Sequence, residues 1–234
     1  PLAWRLRRTW LKLLARRGDW ETYLEVYAGS GDATMRCQWL RALINSGEAD
    51  RALPEVESLW LVGRSQPSAC DPVFKVWREA GYLTRDLAWQ RFELAIRAGR
   101  PSLATYVSRF LPAEERPLAE QWLRVRRQPT RVTRVAALDG DREIIESILV
   151  YGIERLARRD IEKAAATWER LRTRFAFSGP AVAAVHRRIG LSYAFAHREE
   201  SLYWLNAIPE PEMDARAREW RILSAMRHGE WRDA

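Results

Sequence analysis

Residues 59–81 read LWLVGRSQPSACDPVFKVWREAG. A helical run closes near Gly63, a polar turn with Pro67 follows, and Cys70, Asp71 and Pro72 lead into a second helical run that stops at Gly81. Gly63 reads as the stop of the first helix. Pro67 keeps the turn from continuing it, and Asp71 with Pro72 opens the next. The same grammar extends in both directions. WLKLLARRG (10–18), QWLRALINSG (38–47), RFELAIRAG (91–99) and EIIESILVYGIERLARRD (143–160) carry apolar residues at helical spacing. Their stops include Arg17-Gly18-Asp19, Ser46-Gly47-Glu48, Ala80-Gly81-Tyr82, Ala98-Gly99-Arg100, Asp139-Gly140-Asp141, Arg159-Asp160, His197-Arg198 and His228-Gly229-Glu230. Gly suits the left-handed residue after a helix, and an acidic residue behind it suits the next helix's positive N-terminus. No sustained polar/apolar alternation marks a strand. The fold class read from this pattern is all-α.

The spacing of the stops refines that class. Gly18 to Gly47 is 29 residues, Gly47 to Gly81 is 34, and Gly81 to Gly99 is 18. A regular tetratricopeptide array would hold about 34 throughout. The irregular period predicts a degenerate solenoid of short antiparallel helix pairs, each burying its apolar face on its neighbours. Proline boundaries fall at Leu111-Pro112, at Gln128-Pro129-Thr130, where a further helix is expected to start, and at the loop Ile208-Pro209-Glu210-Pro211. No long flexible linker interrupts the chain, so one continuous domain over residues 1–234 is expected.

Bulk composition bounds the partners. The 234 residues are 47% hydrophobic and 30% charged, which excludes a disordered class. No apolar run reaches the length of a membrane span. The residues after Pro1 do not follow the order of a signal peptide, so none is expected within this chain. The opening at Pro1 and the close at GEWRDA lead us to expect a segment of a longer polypeptide. A net charge of +8 favours anionic partners such as nucleic acid, anionic lipid or an acidic wall polymer, or else arginines that only solvate helix faces. Twelve tryptophans suit helix packing and also stacking on bases or sugar rings.

A search for reactive groups yields little. His186, His197 and His228 lack metal-ligand spacing, and no HExxH, CxxC, GxGxxG or GxSxG occurs, so no metal or cofactor is expected. The one stripe that stands out is Arg124, Arg127, Arg131 and Arg134 at i, i+3, i+7, i+10. It reads either as a polyanion contact or as a solvated face, and Pro129 is expected to split it between two helices.

The opening stretch also resembles a segment in the N-terminal half of bacterial soluble lytic murein transglycosylases. The shared pattern is a Leu-Trp-Leu-x-Gly helix end, then Ser-Gln-Pro-x-x-Cys-Asp, then a Phe-x-x-Trp-Arg helix ending at Gly. Leu59, Trp60, Leu61, Gly63, Ser65, Gln66, Pro67, Cys70, Asp71, Phe74, Trp77, Arg78 and Gly81 match it. LLARRGDW (13–20), the Cys37 segment, the Gln128-Pro129 helix start, LARRDIEKA (156–164) and LNAIPEPEMDARAREWRILSAMRHGEWRDA (205–234) resemble it in order and spacing. The likeness covers essentially the whole chain and is strongest at 59–81 and 204–222.

The resemblance implies a right-handed α-superhelix, the U-shaped domain that precedes a lysozyme-like catalytic domain in that family. It implies a parent enzyme, a lyase acting on peptidoglycan in the bacterial periplasm. The parent would cleave the MurNAc–GlcNAc bond to 1,6-anhydromuramic products, with one glutamate acting first as acid and then as base. The family places that glutamate in a Glu-Ser pair followed by Gly-Leu-Met-Gln and Ala-Tyr-Asn-Ala-Gly segments. Glu-Ser occurs here at Glu57-Ser58, Glu146-Ser147 and Glu200-Ser201, without either later segment. The expected role is therefore a noncatalytic segment, inactive alone, that scaffolds the missing C-terminal catalytic domain and guides glycan strands. Its expected partners are those strands, that domain and other cell-wall enzymes. A tetratricopeptide-like protein scaffold and a helical-repeat nucleic-acid binder are the alternatives. The periplasm also permits a disulfide. Cys37 and Cys70 lie 33 residues apart, about one helix-pair repeat, so they are expected to pair, the alternative being two buried thiols.

Overall fold

Side-chain caps set where the helices begin. Asp19, Asp32, Thr84, Asp141, Asp160, Ser178 and Asp214 each accept a hydrogen bond from a backbone N–H in the first turn that follows. The computed structural model describes residues 2–29, 32–135 and 139–230. Among these residues there is no strand, and no helix is long and apolar enough to cross a membrane. Residues 231–234, the end of the 205–234 stretch, lie outside the described residues.

The helices gather into two compact units, Pro1–Arg116 and Pro117–Ala234. The first holds α1 (Leu2–Arg17), α2 (Trp20–Val26), α3 (Ala33–Asn45), α4 (Ala49–Ala52), α5 (Glu57–Trp60), α6 (Asp71–Glu79), α7 (Arg85–Arg97) and α8 (Pro101–Val107). The second holds α9 (Arg116–Arg127), α10 (Val132–Val135), α11 (Arg142–Ala157), α12 (Ile161–Arg172), α13 (Gly179–Phe195), α14 (Glu200–Asn206) and α15 (Ala215–His228). Helices consecutive in the chain pack side by side, as α2 on α3, α7 on α8, α11 on α12 and α13 on α14. The turns follow the expected grammar: Gly18, Gly47, Gly81, Gly99 and Gly229 take positive φ, and His197 does so at its turn with φ 57°.

In the first unit the core forms around the disulfide between Cys37 on α3 and Cys70, at the end of a 3-10 turn that runs into α6. Trp60, only 1% exposed, sits in the same cluster with Leu40, Val56, Val73 and Trp77. Its ring meets Phe74 edge-on at 5.4 Å, Trp77 at 5.6 Å and Phe110 at 5.7 Å between centroids. In the second unit Trp168, buried on α12, packs against Phe177 and against His186, which is wedged between Trp168 and Trp204. Most described tryptophans are thus spent on helix packing.

Two local expectations need correction, and a third, the loop at Pro209, gains detail. Gly63 does not stop a helix. α5 ends at Trp60, and Gly63 has no Cβ because the backbone of α7 passes there: an added Cβ would lie 2.5 Å from the Leu94 carbonyl oxygen and 2.9 Å from the Ala98 Cβ. The Gln128-Pro129 start does not open a full helix. Pro129–Arg131 is a 3-10 turn and α10 adds one turn beyond it. The loop at Pro209 contains a 3-10 turn, Glu210–Glu212.

These contacts give measurable consequences. Replacing both cysteines by alanine removes a closed loop that stabilises by about 3–4 kcal/mol in the chain-entropy account. Urea unfolding should show a loss of that order, and reductant should lower the wild-type midpoint. An unmoved midpoint under reductant would contradict the bond. Gly63→Ala should cost about 1–3 kcal/mol, since backbone cannot yield as a side-chain tip can. Gly179→Ala, where an added Cβ meets nothing within 4 Å, is the matched control and should be near neutral. Burial holds the His186 imidazole below its ordinary pKa. The unfolded chain therefore binds the extra proton first, and stability should fall as pH drops through about 6.5. That slope should flatten in His186→Gln, measured by urea unfolding between acid and neutral pH.

Candidate functional site

The arginine stripe lies in the second unit, where α9 gives way to the turn at Pro129. α9 ends at Arg127, and Gln128 leaves helical geometry at φ −129°, as a residue before proline must. The expected split is real, yet the turn keeps its two sides together. Arg124, Arg127, Gln128 and Arg131 line one open cavity of about 310 Å³. Arg131 Nε donates to Gln128 Oε1 at 2.6 Å, which orients both side chains along the wall. Arg124 makes a long, exposed contact with Glu120 at 3.5 Å. Among the described residues Arg127 and Arg131 have no carboxylate partner. Arg134 is exposed on α10 and does not line this cavity.

A second cationic cavity in the same unit has no counterpart in the sequence reading. Thr130, Thr133, Lys163, Thr167, Arg170, Leu171 and Arg174 line about 320 Å³ between the Pro129–Val135 segment and α12. Arg170 Nε donates to the Ala166 carbonyl, and Lys163, Arg170 and Arg174 have no carboxylate partner among the described residues. The signal was present: 163, 167, 170 and 174 fall at i, i+4, i+7, i+11, one face of a helix. The segment after α9 serves both cavities, giving Gln128 and Arg131 to one and Thr130 and Thr133 to the other.

Elsewhere many arginines are neutralised. Arg8 pairs with Asp32, Arg36 with Glu55, Arg198 with Glu200, and Arg218 and Arg221 share Glu210. Such exposed pairs contribute little to stability, but they cancel charge locally. Arg127 and Arg131 in one cavity, and Lys163, Arg170 and Arg174 in the other, are cations gathered around a concave surface without a carboxylate partner among the described residues, an arrangement suited to binding anionic groups.

The Glu-Ser pairs have structural settings. Glu57 is exposed at the start of α5, and Ser58 donates to the Glu55 carbonyl. Glu146 on α11 accepts from Ser178 N and Oγ, both at 2.7 Å, and so ties α11 to the head of α13. The hydrogen bond from Arg198 holds the Glu200 carboxyl below the usual range, opposite to what a general acid requires. The histidines are dispersed: His186 in the core, His197 in a turn beside Arg227, and His228 closing α15. Among the described residues no group of His, Cys, Asp or Glu gathers as metal ligands.

No family model matches this chain. It is 30% identical over 165 residues to the soluble lytic murein transglycosylase of Escherichia coli, a match that covers 70% of this chain and 26% of that protein. In structure it is similar to an inactive mutant of the lytic transglycosylase Slt from Pseudomonas aeruginosa, at 31% identity and TM-score 0.83 over 97% of this chain. The 70 kDa soluble lytic transglycosylase of Escherichia coli shares the fold at 24% identity and TM-score 0.71 over 95% of this chain. The chain spans about 37% and 34% of those two structures. Matched in sequence and in helical architecture over a minor part of their length, it belongs to the soluble lytic murein transglycosylase family as a partial member.

Proposed function

We propose that this chain is a noncatalytic helical segment of a periplasmic lytic transglycosylase and that its second unit contacts peptidoglycan strands. The observation that carries the contact is the pair of cavities whose cations, Arg127, Arg131, Lys163, Arg170 and Arg174, have no carboxylate partner among the described residues. Peptidoglycan bears carboxylates on its peptides at intervals along a sugar chain. Guanidinium groups recognise such carboxylates through directed, charge-assisted hydrogen bonds. Many weak contacts along a polymer sum by multivalency, so no single deep pocket is required.

The Cys37–Cys70 disulfide supports the compartment, because such bonds persist in oxidising environments. The parent enzyme would cleave the MurNAc–GlcNAc bond of peptidoglycan without water. It would use a catalytic domain that this segment scaffolds while guiding strands toward it. A nucleic-acid role draws on the same net charge. The tryptophans that would serve as stacking platforms, however, are mostly in the core.

Co-sedimentation with insoluble peptidoglycan across a salt series tests the contact. The wild-type chain should be retained at low salt and released as salt rises. The triple change Arg127→Gln, Arg131→Gln and Arg170→Gln should cut retention by about tenfold or more at low salt, with thermal unfolding unmoved. Absence of retention at low salt, or tighter binding to RNA or DNA than to peptidoglycan, would overturn the proposal.

A further inference from the structure

Arg91 on α7 is a charged residue yet only 3% exposed. Its guanidinium carbon lies over the Trp60 ring, 3.9 Å from the centroid, and 5.4 Å from the Phe74 ring centroid. The ring faces supply a cation–π contact but no hydrogen-bond acceptor. Nε and Nη1 are buried without a partner. A buried cation normally has a carboxylate against it, and buried N–H groups are normally satisfied. Arg91 has neither among the described residues.

Arg91 also lines a cavity of about 270 Å³ in the first unit. Trp60, Phe74, Leu103 and Tyr106 form its apolar wall, and Ser65, Gln66, Asp71 and Ser102 its polar side. Gln66 is held by donating to the Leu59 carbonyl at 2.7 Å, so the polar side is built rather than loose. Asp71 makes no ion pair with Arg91. It lines the cavity from an exposed position. A second cation, Arg78, stacks on Phe110, which in turn packs on Trp60. Burial and the nearby Arg78 charge pull the Arg91 guanidinium down to about 10, against a favourable influence from Tyr106, and it remains charged at neutral pH.

A buried, unpartnered guanidinium that lines a cavity walled by aromatic rings is the counterpart of an anion carried on an apolar or ring-shaped body. We propose that this cavity receives a single carboxylate, with Arg91 as its hydrogen-bonding partner and Trp60, Phe74 and Tyr106 packing the body that carries it. Asp71 at the mouth disfavours a second negative charge and accepts a neighbouring ammonium. Two sources fit this chemistry, the free carboxyl end of a peptide and the carboxylate of a sugar acid. The inference stands apart from the peptidoglycan contact of the second unit, and either can fail without the other.

The test is titration of the intact chain with benzoate, with glycyl-phenylalanine, with its C-terminal amide and with N-acetylmuramic acid. The Arg91 Nε–H resonance, assigned by its loss in Arg91→Lys, is followed by NMR. Benzoate should shift it saturably, and whichever of the dipeptide and the sugar acid binds more tightly identifies the source. The amide should bind at least about tenfold more weakly than the free dipeptide. Because changing Arg91 risks the core, Ser102→Trp, which fills the cavity from an exposed position, is the second variant. It should abolish the titration while leaving the resonance and the melting temperature in place. A resonance unmoved by every carboxylate, an amide that binds as well as the acid, or binding that survives Ser102→Trp would overturn the proposal.

Discussion

Trp60 is the contact on which the first unit depends. The helices around it are short, α5 only four residues and α6 nine. Helices of that length do not persist in water without tertiary packing. Trp60 supplies that packing from several sides at once, touching Phe74 and Trp77 from α6, Phe110 beyond α8, and Arg91 on α7. The disulfide holds the start of α6 against α3, so the helix that covers Trp60 cannot drift. Gly63 completes the arrangement by letting the chain cross the α7 backbone at a distance no side chain would permit. The 59–81 stretch is thus a packing device that joins several helices, more than a turn between two.

That difference explains what could be read in advance. Stops at Gly47 and Gly81 were legible because a left-handed residue is a local requirement, written at the position where it acts. The cap at Asp160 was legible for the same reason. Gly63 was misread because its constraint comes from Leu94 and Ala98, which no window around Gly63 contains. The resemblance supplied an oxidising compartment and the 33-residue spacing supplied the reach, and from the two together Cys37 and Cys70 were expected to pair, as they do.

The candidate sites divide along the same line. Arg124, Arg127 and Arg131 were visible as a stripe, but only the turn at Pro129 shows that Arg131 faces the same cavity and Arg134 does not. Lys163 and Arg170 on α12 and Arg174 just beyond it carried a readable helical period, masked by the abundance of arginine in this chain. Arg91 carried no signal. Its burial is set by Trp60 and Phe74, far from it in sequence, and an arginine within an apolar run reads as a residue that points to solvent.

Charge placement separates ordinary arginine from arginine held in reserve. Arg218 and Arg221 converge on Glu210, and Arg198 on Glu200, so their charge is largely spent within a Debye length of the surface. Arg127, Arg131, Lys163, Arg170 and Arg174 instead line cavities without a carboxylate partner among the described residues. Like charges around one cavity repel until a counter-charge arrives, so the arrangement favours an anionic ligand. A net charge of +8 spread evenly would give a diffuse attraction with no preferred site. The cations that line the two cavities beside the Gln128–Val135 segment add local concentrations of charge to that diffuse background. For any ligand that spans both cavities, binding at one raises the effective concentration at the other, so two weak contacts on one polymer act together.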